Sequence, residues 1–320
     1  MDKTREYYKV TRTGTAVLKK DFCGILRLDG SERVSWLQGM VSNDVKKVAP
    51  GQGCYAAHLS PQGRTVAQMV ILKDDDCLWL ELERSVVQPL AAAFDKLLIM
   101  EDVQVSDVSE TILILGLVGP GTKSLLEGWL GEPLALEVYG HRQFAKARVV
   151  RTELGHDVWV AAERGDATLA ALVEAGASPI DAGSWDVVRT EAGLPVYGVD
   201  MDETTILPEL GERGISYDKG CYVGQEVVAK VKYIGHVNRR LVGLVLDGDL
   251  AALPKSPIRQ DGKELGYVTT SVVSPGLEQP IALGYVSRAA NAPGTAVEVV
   301  SGGVVIIATI VELPFVKAAD

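Results

Sequence analysis

Apolar residues recur at two spacings along this chain, and the mixture of the two changes near residue 240. Between residues 31 and about 180, stretches of helical period alternate with runs of period two. Ser31 can cap a helix whose apolar positions Val34, Leu37, Val41, Val45 and Val48 fall near one stripe, ended by Pro50-Gly51. Strand-like segments follow at 54–59, at 65–72 after the turn Ser60-Pro61-Gln62-Gly63, and at 77–82 after the acidic turn Asp74-Asp75-Asp76. Residues 86–100 form a second amphipathic helix. The middle third repeats the theme, with a strand at 112–118, a helix at 122–130, and strands at 148–152 and 157–161 around Gly155. Asp166 can cap a helix to Glu174 that Gly176 closes. After Arg240 the chain reads as short strands without helices, at 241–246, 256–260, 264–273, 281–287, 296–300 and 304–313, with turns at Asp261-Gly262 and Gly302-Gly303. The pattern predicts an α+β fold: two related, ferredoxin-like units at 1–110 and 111–240, then a small C-terminal β-barrel or sandwich at 241–320.

A length of 320 residues with 47% hydrophobic and 23% charged content suits a folded protein of two or three domains. The net charge of -10 argues against broad binding to nucleic acid or anionic membranes. Cys23, Cys54, Cys77 and Cys221 lie far apart with no CxxC pair, so neither a disulfide framework nor a local metal site is expected. With a charged start and no apolar run long enough to span a bilayer, the chain reads as a cytoplasmic protein.

The densest chemistry lies in Lys219-Gly220-Cys221-Tyr222-Val223-Gly224-Gln225-Glu226. An ammonium beside a thiol raises the thiolate fraction. Gly220 and Gly224 permit close approach or positive φ. The bland alternative is a glycine-rich turn whose Cys221 is a small buried hydrophobe. Glu191 is the second unusual group. A helix over 185–192, capped by Asp181 or Ser184 and closed by Gly193-Leu194-Pro195, puts Glu191 in the last turn, where the macrodipole disfavours an anion. Such a carboxylate calls for a cation or a ligand, unless it is a solvated group at a frayed end. Residues 116–124 join a strand to a helix, but Thr122 separates Gly121 from Lys123-Ser124, which spoils a phosphate loop. Lys219, Lys230, Lys232, His236, Arg239 and Arg240 make one segment locally basic; the alternation in 227–233 equally describes a half-exposed strand.

Four stretches together resemble the YgfZ-type branch of the folate-binding family related to aminomethyltransferases, the T protein of glycine cleavage. They are Trp36-Leu37-Gln38-Gly39-Met40-Val41-Ser42-Asn43-Asp44, Arg189-Thr190-Glu191-Ala192-Gly193-Leu194-Pro195, the run 219–226, and Leu265-Gly266-Tyr267-Val268-Thr269-Thr270-Ser271 with 281–286 beyond it. The resemblance spans nearly the whole chain. It implies two α+β units and a barrel around a folate pocket, with tetrahydrofolate or a one-carbon derivative as cofactor and no metal. By the same resemblance Glu191 grips the pterin, with Arg189, Gly220, Tyr222 and Gln225 also placed at the cofactor, and Cys221 is a signature thiol attended by Lys219. The implied role is an accessory to iron–sulfur cluster assembly or repair, with client or assembly proteins as partners. Aminomethyltransferases carry an Asp-Asp pair on the strand after the glycine turn, where this chain has Ala67-Gln68. That departure leans against an enzyme. The alternatives are a folate-dependent one-carbon transferase or demethylase using another acid, such as Asp44 or Asp200, and an accessory to tRNA modification, which the acidic charge disfavours.

Overall fold

The computed structural model describes residues 3–316. They divide into two compact units whose pieces interleave along the chain. One unit comprises Lys9–Ile180 with Arg213–Glu226; the other holds the residues up to Tyr8, Asp181–Glu212, and the chain from Val227 onward. In chain order the elements begin with α1 (Lys3–Thr13), β1 (Ala16–Lys19), β2 (Cys23–Asp29), α2 (Arg33–Met40), β3 (Gln52–Leu59), β4 (Thr65–Lys73), β5 (Leu78–Glu83), α3 (Arg84–Leu97) and β6 (Gln104–Asp107). Next come β7 (Ile112–Val118), α4 (Thr122–Leu130), β8 (His141–Gln143), β9 (Arg148–Arg151), β10 (Gly155–Ala161), α5 (Gly165–Glu174) and β11 (Ser178–Pro179).

These strands build two sheets, ordered β3-β4-β5-β2-β6 and β11-β1-β7-β10-β9-β8. Strand β1 pairs antiparallel with β7 and parallel with β11, so a segment from the first twenty residues belongs to the second sheet. The boundary expected at residue 110 is crossed for that reason. Ile25 and Leu72 of one sheet share a core with Ile114, Val150 and Trp159 of the other, and Trp79 meets Trp159 edge to face at 6.3 Å. Inside the same unit the Lys20 ammonium bonds Glu81 at 2.5 Å and Asp157 at 2.7 Å. Burial, with Glu81 adding like charge and Lys20 opposing, pushes the Asp157 carboxyl up to about 7.

Two expectations give way to local side-chain chemistry. The helix read from residue 31 to 48 stops at Met40, and Val41 is extended. Beyond that point polar side chains take over the backbone's hydrogen bonding. Gln38 Oε1 accepts the amides of Val45 and Lys46, Asn43 Nδ2 donates to the Tyr55 carbonyl, and the Ala57 amide donates to Ser42 Oγ. Conversely, 227–233 is no strand; it lies within helix α7 (Gln225–Tyr233). Glu226 in its first turn and Lys230 and Lys232 in its last complement the helix dipole, which strand alternation conceals.

The second unit contains α6 (Ala182–Glu191) and the strands β12 (Arg239–Leu246), β13 (Pro257–Gln260), β14 (Lys263–Ser274), β15 (Gln279–Ser287), β16 (Ala296–Ser301) and β17 (Val304–Val311). The six strands close into a barrel in the order β12-β15-β14-β13-β16-β17. Leu244, Ile258, Val268, Val286, Val299 and Ile310 fill it. Helix α6 packs on β14 and β15, so the helix carrying Glu191 shares a unit with the barrel.

Candidate functional site

Glu191 owes its position to the residues that follow it. The Gly193 amide donates to the Thr190 carbonyl and the Leu194 amide to the Arg189 carbonyl, both at 2.9 Å, while Gly193 adopts φ +68°. This is a Schellman closure, and it needs glycine at the left-handed position. Asp181 caps the other end by accepting the Ser184 amide at 2.8 Å. The closure fixes Glu191 as the last helical residue, and its side chain has no exposed surface. Tyr8 Oη donates to Oε2 at 3.0 Å and Ser274 Oγ to Oε1 at 2.5 Å. A side chain at Gly276 would collide with the Tyr8 hydroxyl, so the β14–β15 turn supplies both the second hydroxyl and the space for the first. Hydroxyl donors thus stabilise an anion at a helix end whose carbonyls repel it.

Arg189, two residues earlier, faces a different group. Its guanidinium pairs with Asp200 at 2.7 Å, contacts Asp186 at 2.6 Å, and donates to Thr270 Oγ1 at 3.2 Å. Asp200 in turn accepts from Thr269 Oγ1, Thr270 Oγ1 and the Val196 amide. The Arg189–Asp200 pair is buried on both sides and clasps α6 and the segment after it to β14. Neither Tyr8, Ser274 nor Asp200 was identified from sequence as a partner of these residues. The only signal was the hydroxyl-rich run Val268-Thr269-Thr270-Ser271.

The 219–226 run lies in the sheet unit and is fastened along its length. Lys219 Nζ donates to the carbonyls of Gln38, Val41 and Asn43 at 2.6, 2.5 and 2.8 Å. Val223 N–H donates to the Gly39 carbonyl at 3.1 Å. Tyr222 is buried, and its ring lies 4.8 Å from the Lys219 ammonium. Gln225 Oε1 accepts the Tyr222 amide at 3.2 Å, tying the loop to the first residue of α7. Gly224 has φ +79°, and a Cβ there would meet the Ser60 carbonyl oxygen at 2.5 Å. Gly220 differs from the expectation. It has no positive φ, and a Cβ there would meet nothing within 4 Å. Cys221 is exposed, so it is not the buried hydrophobe of the bland alternative.

The other candidates resolve simply. Gly121 N–H is spent on the Gly14 carbonyl at 3.0 Å, which suits a helix start better than a phosphate cradle. Lys232 pairs with Glu212 at 2.5 Å and Arg239 with Glu209 at 3.0 Å, so part of the basic segment is internally neutralised. Asp74, Asp76 and Cys77 bring ligand-type atoms within 4.8 Å of one another, but Asp74 is engaged by Arg148 and Trp79. On β4, Ala67 is fully buried and Gln68 half-buried; neither can hold or move a proton as a carboxylate does. No helix among the described residues is long and apolar enough to cross a membrane.

Comparison with known proteins agrees with this architecture. Residues 1–214 match the model of the GCVT N-terminal domain, and residues 239–317 match the glycine cleavage T-protein C-terminal barrel domain. An aminomethyltransferase of Nostoc sp. is 29% identical over 99% of this chain and 88% of its own length. One from Synechococcus sp. is 30% identical over 97% and 90%. The crystal structure of glycine cleavage system aminomethyltransferase T from Bartonella henselae superposes with a TM-score of 0.91, covering 98% of this chain and 90% of that one at 20% identity. The chain belongs to the glycine cleavage T-protein family.

Proposed function

We propose that this chain is a tetrahydrofolate-binding protein of the YgfZ type that supports iron–sulfur cluster assembly or repair in client enzymes. Glu191 is its pterin anchor. The observation that supports this reading is the combination of an exposed Cys221 on a fastened loop with Ala67 and Gln68 where aminomethyltransferases carry acids. The donor chemistry at Glu191 fits a pterin, whose adjacent ring N–H and amino groups match the two oxygens of a carboxylate. Each oxygen accepts one hydroxyl, from Tyr8 and Ser274. Because the carboxylate is fully covered, a pterin reaches it only if Tyr8 or its neighbours move aside. Bound tetrahydrofolate supplies a carrier for one-carbon units; this chain's part is to orient it and keep water from Glu191. In this reading Arg189 braces α6 through Asp200, while Gly220, Tyr222 and Gln225 belong to the Cys221 loop.

The second reading is folate-dependent aminomethyl transfer. The names of the relatives speak for it, and more directly than any comparison speaks for an iron–sulfur role. The leaning against an enzyme gains no support from them. Its difficulty is the acid: Asp200 is spent on Arg189 and two threonines, and Asp44 accepts from Gln38 and pairs with Lys47 at 3.4 Å. A role in tRNA modification rests only on the basic segment and stands third.

Calorimetric titration with tetrahydrofolate under anaerobic, reducing conditions tests the shared premise. Glu191→Ala is expected to weaken binding by roughly 10- to 100-fold, the worth of charge-assisted hydrogen bonds. Saturable binding unaffected by that change would remove Glu191 from the site. Two further assays separate the readings. Failure of Cys221→Ala to restore iron–sulfur enzyme activity in a deletion strain supports the first; methylenetetrahydrofolate formation from an amine donor supports the second.

A further inference from the structure

We infer that Lys219 is a positioning residue that holds the Cys221 loop on a cage of backbone carbonyls, and that it does not activate the thiol. This rests on the reading that the loop thiol matters to function. An ammonium has three N–H donors, and all three of Lys219's are committed, to Gln38, Val41 and Asn43. Gln38 lies in the last turn of α2, whose carbonyls have no helical partner and where the dipole favours a cation. Val41 and Asn43 follow in the turn beyond it.

The cage is built by its own side chains. Gln38 Nε2 bonds Asp44 while its oxygen accepts the amides of Val45 and Lys46, which curls the chain back on the end of α2. Ser42 Oγ donates to the Gly214 carbonyl at 2.6 Å, and Ser216 N–H donates to the Ser42 carbonyl at 3.0 Å. The result is a concave set of carbonyl oxygens with a cation seated in it and the Tyr222 ring beside that cation. Burial pushes the Lys219 amine down to about 8, with Asp44 and Cys54 opposing, so it is a cation at neutral pH. Burial pushes the neighbouring Cys54 thiol up to about 12, with Lys219 opposing.

Two separate sequence markers, 36–44 and 219–226, are therefore one structural piece: the first makes the cage, the second fills it. The loop is fastened before Cys221 by Lys219 and after it by Val223 and Gly224, while Gly220 and Cys221 face open space. A rigid, exposed tip between two fastenings suits a thiol offered to a partner's surface.

The test compares full-length wild type with Lys219→Met and Lys219→Arg. Site-resolved mass spectrometry follows iodoacetamide alkylation of Cys221 from about pH 6 to 10, and hydrogen exchange follows residues 214–224. Lys219→Met is expected to raise exchange across the loop by about 10-fold or more. The pH midpoint of Cys221 alkylation should stay within ~0.3 units of wild type. A midpoint raised by about a unit, or unchanged exchange, overturns the inference. Should Lys219→Met fail to fold, Lys219→Arg decides. It keeps the charge, but its planar fork cannot converge on three carbonyls, so the same loosening at constant midpoint is expected, and wild-type exchange would overturn it. Full complementation by Cys221→Ala would instead refute the functional reading of the thiol and leave the anchoring result intact.

Discussion

Glu191 is a charged side chain with no exposed surface, whereas Cys221 is a neutral thiol standing open to solvent. At Glu191 the fold spends side chains on the reactive group itself: two hydroxyls reach its oxygens, and a glycine turn makes room for one of them. At Cys221 the fold spends its bonds on the backbone either side and leaves the sulfur alone. The difference follows from solvation. A buried anion without donors is several kcal/mol out of balance, while an exposed thiol needs nothing from the protein except a fixed place. The sheet unit shows the intermediate case, with Asp157 buried beside Lys20 but also beside Glu81.

Breaking the support beneath Glu191 should produce one of the two largest effects. Asp200→Ala leaves the buried Arg189 guanidinium with only the more exposed Asp186 as a carboxylate partner and is expected to destabilise the barrel unit by about 3 kcal/mol, read from urea unfolding. A loss below ~1 kcal/mol would mean that water reaches Arg189 and that the clasp is not what holds α6. Gly224→Ala tests the loop in the same terms. The positive φ and the Ser60 oxygen in the way together predict a loss of about 2–4 kcal/mol, with Cys221 alkylation altered because the tip moves.

Asp157 sharpens the comparison through pH. Folded, it retains its proton up to about pH 7. Unfolded, it releases the proton near the ordinary carboxylate value of ~4, so its contribution to stability falls as pH rises through that window. Asp157→Asn should remove this slope, changing the stability difference between pH 4 and 7 by about 2–3 kcal/mol relative to wild type. An unaltered slope would place the charge on Asp157 throughout.

Smaller effects close the series. Tyr8→Phe removes one donor from a buried carboxylate and should lower stability by about 1–2 kcal/mol, with tetrahydrofolate affinity measured in parallel. Cys221→Ser should change stability by less than ~0.5 kcal/mol, because an exposed side chain has little packing to lose. A loss as large as that of Tyr8→Phe would show that the thiol is a structural group after all.

Local pattern and turn chemistry were enough to predict most elements. Strand-like runs bounded by turn residues marked β3, β4, β7 and every barrel strand, and Gly193-Leu194-Pro195 marked where α6 ends, because apolar runs and left-handed glycine are written in consecutive residues. They also singled out Glu191 as a misplaced charge and 219–226 as a loop with more chemistry than packing needs. Tertiary structure alone decided what those groups face. Strand β1 enters the second sheet, Tyr8 meets a carboxylate 183 residues away, and Lys219 fills a cage 176 to 181 residues before it. Hydrogen-bond partners at such separations leave no period in the sequence. They are chosen when the fold buries a charge or a carbonyl and something must satisfy it.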